Sequence, residues 1–122
     1  YQLGGFKVQA KTEAAAEQLL KEALILQEAG ASMLVLEAVP MHVGKHVTES
    51  VSMVTIGIGA GKDTDGQVLV LYDMRDVFPG KKAKFVKNFM AGKSSIAEAV
   101  AEYVAQVKSG EFPQAENSFT GA

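Results

Sequence analysis

The chain has 122 residues, which suits one domain, and its 48% apolar content is sufficient for a packed core. A formal charge of −2 provides no basic stripe and argues against nucleic acid as a partner. The absence of cysteine excludes disulfides, thiolate metal sites and cysteine nucleophiles, and it is compatible with a reducing compartment. The apolar runs are too short to span a membrane, and no signal-peptide pattern opens the sequence.

The first residues read as a loop. Residues 1–11 include Gly4-Gly5, a dipeptide typical of turns. Because the sequence starts with Tyr1 rather than methionine, we interpret the chain as a piece of a longer polypeptide.

A helix pattern and then a strand pattern follow this loop. Thr12 is a suitable N-cap for a helix with alanine and leucine at helical spacing, and Gly30 ends that helix. Residues 32–37 contain almost no polar side chains, which is typical of a strand with both faces covered.

A second helix and a second strand are predicted after Pro40, which breaks the chain. Residues 41–50 predict a helix with Val43 and Val47 on its buried side. Residues 53–58 predict the next short strand.

The segment 63–75 is ambiguous. Residues 68–72 have a strand-like composition, yet Thr64 followed three residues later by Gln67 is a capping box, which indicates a helix start. We predict a helix over 63–75, because this assignment also lets the alternating residues 84–89 form a third strand.

The remaining sequence predicts one long helix. Ser94 or Ser95 caps it, it continues through Lys108, and Gly110 closes it before a polar tail. Strands separated by helices run parallel and need cover on both faces, and three such strands alone would leave open edges. We therefore predict an α/β fold over residues 1–122: half of a (β/α)8 TIM barrel, with about three parallel strands and flanking helices.

Glu37 is the main candidate for a catalytic residue. It ends the apolar run 34–37, and barrels of this type hold reactive groups where their strands stop. The functional interpretation is a partly desolvated carboxylate that acts as a general base. The structural alternative is a loop acid that forms a salt bridge or caps the helix after Pro40. Spacing alone leaves both open.

The glycine-rich run after the second predicted strand is a weaker candidate. Gly57, Gly59 and Gly61 bring the backbone close either to a ligand or to a neighbouring element. They miss the dinucleotide and P-loop motifs, and residues 63–66 depart from a calcium loop. A tight loop before a helix N-terminus would suit an anion, with Gly59, Gly61 and Asp65 as candidate cofactor-binding residues; purely structural glycines are the alternative.

Two other groups of polar residues favour simpler interpretations. His42 and His46 lie four residues apart on the second predicted helix and could hold a metal, but only Glu49 is spaced to join them. We interpret both as solvated surface histidines and assign no metal ligand to this chain. Four lysines form a modest positive cluster that we read as a solvated turn and strand edge: Lys81, Lys82, Lys84 and Lys87.

Five motifs in one order resemble the C-terminal portion of the ketopantoate hydroxymethyltransferase family. They are Gly4-Gly5-Phe6-Lys7-Val8-Gln9, Leu34-Val35-Leu36-Glu37-Ala38-Val39-Pro40, Ile56-Gly57-Ile58-Gly59-Ala60-Gly61, Thr64-Asp65-Gly66-Gln67 and Lys84-Phe85-Val86-Lys87-Asn88-Phe89. The similarity covers essentially the whole chain, and the combination is specific although each motif alone is weak. Ala10 departs from it, because the family usually has glycine there.

The resemblance implies strands six to eight of a (β/α)8 barrel, in an enzyme that typically forms a decamer of two pentameric rings in bacteria. It implies transfer of a hydroxymethyl group from 5,10-methylenetetrahydrofolate to 3-methyl-2-oxobutanoate, giving 2-dehydropantoate for pantothenate and coenzyme A synthesis in the cytoplasm. Mg²⁺ chelated by the oxo-acid stabilises the enolate, and a carboxylate that maps onto Glu37 removes the C3 proton. The metal ligands lie in the N-terminal half, so this chain is expected to be inactive without that partner.

Two alternatives remain. One is a barrel enzyme that binds a phosphorylated substrate at the glycine loop and the predicted helix N-terminus. The other is a non-catalytic half-barrel that persists by packing on a partner chain.

Overall fold

A computed structural model describes residues 7–77, 80 and 82–121. The predicted turn at Gly4-Gly5 lies outside these residues, as does Lys81. The elements in chain order are α1 (Glu13–Glu28), β1 (Met33–Glu37), α2 (Met41–Ser50), β2 (Val54–Ile58), β3 (Gly66–Gln67), α3 (Leu71–Met74), α4 (Ile96–Ser109) and a 3-10 turn (Ala115–Asn117). None of the described helices combines the length and the apolar character needed to cross a bilayer.

The predicted helix boundaries of α1 and α4 are confirmed by their caps. The Thr12 hydroxyl accepts a hydrogen bond from the Ala15 amide at the start of α1. The Ser95 hydroxyl does the same for the Glu98 amide, and Gly110 closes α4 with a φ of 76°. Hydrogen bonds from the Ser94 amide and hydroxyl lower the pKa of Glu98.

The three strands form one open parallel sheet in the order β1-β2-β3. In the register of β1 on β2, Leu36 lies opposite Gly57 and Glu37 lies opposite Ile58. Because successive side chains point to opposite faces, Leu36 and Glu37 belong to different faces of the sheet. The architecture is therefore α/β with three parallel strands, as predicted, but the third strand is Gly66–Gln67 and follows β2 without an intervening helix.

One face of the sheet is covered by α1 and α2. The core on this side contains Leu36, Ala23 of α1, and Val43 and Val47 of α2, which confirms the predicted buried side of that helix. On the opposite face, Met33 and Val35 are each 57% exposed. The expectation that this strand is covered on both faces is therefore wrong for the part of the chain that the structure describes, where Met33 and Val35 remain exposed.

The prediction of a helix over 63–75 is wrong, and so is that of a strand over 84–89. Gly66–Gln67 pairs with β2 as β3, and only Leu71–Met74 is helical. The strand-like composition of 68–72 does not mark the strand either, because residues 68–70 are irregular and Leu71 begins α3. The short strand forms just before them along β2, and the Val68 amide donates to the Gly57 carbonyl at 3.0 Å.

The alternation over 84–89 has a different cause. Phe85 and Phe89 are both buried, but in an irregular segment that packs on a second core with Ile58, Leu69 and Ala99. The Phe89 ring makes edge-to-face contacts with Phe112 and with Tyr103, whose pKa is raised by burial.

The C-terminal tail is more than the polar extension expected from its composition. Phe112, Asn117 and Ser118 are buried, and Phe119 forms an isolated parallel bridge with Pro40. The tail therefore folds back onto the turn that connects β1 to α2.

Candidate active-site edge

Glu37 is the last residue of β1, at the edge of the sheet where all three parallel strands end. Its side chain shares a face with Met33 and Val35, which is the face opposite α1 and α2. The side chain is exposed in this chain. Its carboxylate is therefore directed away from the helical layer and is accessible from the uncovered face.

The structural alternative for Glu37 finds no support in the described part of the chain. No salt bridge or side-chain hydrogen bond involving its carboxylate occurs there. The N-cap of α2 is Pro40, and no side chain caps this helix. The carboxylate thus neither pairs with a described base nor caps the helix that follows.

Hydrogen bonds fix the backbone that follows Glu37. Ala38 is buried and has a φ of 52°; its amide donates to the Ile58 carbonyl at 2.9 Å. Its carbonyl accepts from the Gln9 amide at 2.8 Å. The turn after the strand is therefore held on two sides, although the carboxylate itself is free of described partners.

The glycines after β2 approach neighbouring elements closely. A Cβ on Gly59 would lie 2.5 Å from Cδ1 of Phe85, and one on Gly61 would lie 2.6 Å from Cβ of Met41. A Cβ on Gly57 would lie 2.6 Å from the Thr64 hydroxyl oxygen. These contacts supply a structural reason for each glycine, the second of the two interpretations that the sequence left open. A cofactor role for Gly59 and Gly61 stays a prediction.

Asp65 is engaged in the same loop. Its carboxylate accepts hydrogen bonds from the Thr55 amide at 2.8 Å and the Thr55 hydroxyl at 3.0 Å. Gln67 donates from its side-chain nitrogen to the Gly61 carbonyl at 2.8 Å and to the Thr64 hydroxyl at 2.9 Å. The Thr64–Gln67 pair therefore exists, but it closes a loop instead of starting a helix.

The predicted anion site relied on a helix that would begin near residue 63, and the helix in this segment is limited to Leu71–Met74. The glycine loop leads into β3, so the helix N-terminus predicted directly after this loop does not form. The phosphate-binding alternative depended on that helix.

The two histidines of α2 lie at the protein surface. His42 and His46 are both exposed, and the Lys45–Glu49 pair on the same helix is 3.8 Å long. Within residues 7–77, 80 and 82–121, no group of three His, Cys, Asp or Glu side chains could hold a metal ion.

The lysine cluster is not a strand edge. Lys82 pairs with Asp76, and the Lys87 ammonium donates to the Gln106 side chain at 2.7 Å. The Lys84 ammonium donates to the Ser118 carbonyl at 2.6 Å. Sequence reasoning missed this last contact, because residues 34 positions apart in the chain leave no signal in local spacing.

Comparison with known proteins assigns the chain to a family. The sequence profile described as ketopantoate hydroxymethyltransferase matches residues 1–115. The chain belongs to this family. The predicted resemblance is thereby confirmed.

Individual relatives agree with this assignment. The chain is similar to the 3-methyl-2-oxobutanoate hydroxymethyltransferase of Janthinobacterium sp. (strain Marseille), with 61% identity over 98% of this chain and 44% of the relative. The proteins of the same name from Aromatoleum aromaticum and Cupriavidus necator are each 58% identical, over 98% and 97% of this chain and 44% and 43% of their own lengths. The chain thus spans less than half the length of these hydroxymethyltransferases, which is consistent with a C-terminal portion.

Proposed function

We propose that this chain provides the general base of a hydroxymethyltransferase that acts on 3-methyl-2-oxobutanoate. The single observation that supports this role is the position of Glu37. Its carboxylate lies at the carboxyl edge of a parallel sheet, on the face away from the helices, without a described partner. We infer the identity of the substrate from the names of similar proteins, which are called 3-methyl-2-oxobutanoate hydroxymethyltransferases.

The chemistry that follows is a proton transfer. Glu37 accepts the proton on C3 of the oxo-acid, and the electron pair of the broken C–H bond becomes the double bond of an enolate. The nucleophilic C3 then forms a bond to the methylene carbon of 5,10-methylenetetrahydrofolate. Over the whole transfer the two C–N bonds of that carbon break, their electron pairs stay on the folate nitrogens, and tetrahydrofolate leaves. One water is consumed and supplies the oxygen of the new hydroxymethyl group. The product of the overall transfer is 2-dehydropantoate, on the route to pantothenate and coenzyme A.

The same proposal includes a partner, the N-terminal half of the enzyme, which would complete a (β/α)8 barrel. The exposed face of the sheet supports it, because Met33, Val35 and Val54 are apolar and uncovered in this chain. In a closed barrel that face is the packed interior.

We assign the Mg²⁺ ligands to this partner half, because the described residues contain no suitable group of side chains. The ion would stabilise the negative charge that develops on the oxo-acid oxygen. By extension from the family, the proposal also includes a decameric assembly and a cytoplasmic location for the complete enzyme.

The decisive experiment replaces Glu37 in the complete enzyme. Glu37→Gln keeps the shape of the side chain but removes its basicity, so exchange of the C3 proton with solvent should fall by about 10²–10⁴-fold. The measurement is NMR of proton exchange into deuterated solvent, with binding of Mg²⁺ and oxo-acid followed by calorimetry. Binding should change little.

Glu49→Gln is the matched control, because Glu49 is an exposed acid on α2 whose only described ion pair, with Lys45, lies on the surface. Its exchange rate should equal that of the unmodified enzyme. An unchanged rate in Glu37→Gln would remove Glu37 from the role of base.

A further inference from the structure

The turn that carries Glu37 is contacted by a segment from the far end of the chain. We call residues 117–119 the C-terminal strap. The Met41 amide donates to the Phe119 carbonyl at 2.8 Å, and Pro40 and Phe119 form a parallel bridge. Asn117 and Ser118 are buried, so this part of the strap is packed into the protein and is not a solvent-exposed extension.

The strap supplies what the N-terminus of α2 lacks. The first amides of a helix have no partner within the helix, and Pro40, the N-cap residue, provides no side-chain acceptor. The Phe119 carbonyl satisfies one of these amides, that of Met41. Since Met41 follows Glu37 by four residues, this bond fixes the end of the turn whose beginning is the proposed base.

Lys84 holds the strap in place. Its ammonium donates to the Ser118 carbonyl at 2.6 Å and lies 5.7 Å from the centre of the Phe119 ring. Phe85 makes an edge-to-face contact with the same ring, at 6.3 Å between ring centres. Phe85 also contacts Gly59 in the loop after β2. The strap, the glycine loop and the turn after Glu37 therefore form one connected unit.

We infer that Lys84 and Phe119 are positioning residues for Glu37. They act through the strap, which holds residues 38–41 so that the carboxylate keeps one direction at the edge of the sheet. This inference rests on the proposed role of Glu37 as base. A displacement of about 1 Å in a catalytic group can lower a rate by about 10²-fold, so a contact of this kind has a measurable consequence.

The test uses Lys84→Met in the complete enzyme, because methionine retains the length of the side chain but removes the ammonium. We expect kcat for C3 proton exchange to fall by about 10- to 100-fold, with KM for the oxo-acid changed less than about twofold. Lys84→Arg keeps a cation over Phe119 and a donor for Ser118, so it should recover most of the loss. Lys45→Met, on the exposed side of α2, is the control and should leave both constants unchanged.

A second readout does not depend on turnover. Hydrogen exchange of the Met41 amide should be faster in Lys84→Met than in the unmodified enzyme, because its acceptor in the strap is less well held. If Lys84→Met does not fold, Phe119→Leu replaces it, since leucine keeps the backbone carbonyl but loses the ring. The same separation of kcat from KM is then expected.

The outcomes distinguish this inference from the proposed function. If Glu37→Gln abolishes exchange while Lys84→Met and Phe119→Leu leave kcat unchanged, the positioning role is wrong and the base stands. A parallel loss of kcat, oxo-acid binding and thermal stability in both Lys84→Met and Lys84→Arg would show a purely structural contact and also overturn it. If Glu37→Gln has no effect, the proposed function fails and this inference fails with it.

Discussion

Ala10 illustrates how one residue can depart from a family pattern at a cost in free energy. Its φ of 50° lies in the left-handed region, which costs a residue with a Cβ roughly 1–2 kcal/mol. Glycine, which the resemblance places at this position, has no such penalty. The Ala10 side chain packs at the margin of the core under α1, which offsets only part of this cost.

We expect Ala10→Gly to raise the free energy of unfolding by up to about 1 kcal/mol, the conformational relief less the entropy that glycine loses on folding. Urea denaturation measures it. The control is Ala15→Gly, at an exposed position in the first turn of α1, which should lower the free energy of unfolding by up to about 1 kcal/mol. Destabilisation by Ala10→Gly would show that the methyl packing outweighs the backbone strain.

At the scale of elements, the loop between β2 and β3 is the part where local sequence signals conflict most. It contains a capping-box pair, glycines and an acid, and none of them begins a helix. Asp65 binds Thr55 of β2, and Gln67 of β3 binds the Gly61 carbonyl. The loop is therefore a packed connection between adjacent strands, with Phe85 pressed against its first glycine.

Gly59→Ala should lower the free energy of unfolding by roughly 2–4 kcal/mol, since a positive φ of 67° and a contact of 2.5 Å with the Phe85 ring both oppose a Cβ. Gly110→Ala is matched in φ, at 76°, but has no atom within 4 Å of the added Cβ. Its cost should be only about 1–2 kcal/mol. Thermal unfolding of both variants separates strain from steric overlap; equal losses would contradict the packing argument.

At the scale of the whole molecule, the sheet presents an apolar face that the described residues cover only around Ile58, which packs in the second core. Met33, Val35 and Val54 lie on it, next to Glu37 at its edge. A parallel sheet with one uncovered face and open edges favours association. A partner half-barrel would bury this face and would enclose the carboxylate in the same step.

Val35→Asp tests whether a partner half-barrel covers this face, because Val35 lies at its centre. Because Val35 is 57% exposed in this chain, the substitution should lower the stability of the chain itself by no more than about 1 kcal/mol, the cost of aspartate in a strand. It should abolish formation of a one-to-one complex with the N-terminal half in size-exclusion chromatography, since a charge would enter an apolar interior. Ala14→Asp, on exposed α1 surface, is the control; association that survives Val35→Asp would show that this face stays open.

Local chemistry allowed much of this fold to be predicted. The caps at Thr12 and Ser95 and the buried face of α2 depend on residues within a few positions of each other, and all are confirmed. The position of Glu37 at a strand end was predicted from equally local information, namely an apolar run and the acid that ends it.

The rest could not be read from the sequence, because it depends on partners that are distant in the chain. Residues 63–75 carried both helix and strand signals, and the free edge of β2 decided between them. By itself the sequence determined the family, the caps of α1 and α4 and the acid that ends β1. Only the tertiary structure decided which face that acid occupies and which glycines pack against neighbours. It also placed the strap beside the turn, because each of these facts is a contact between segments that local periodicity does not record.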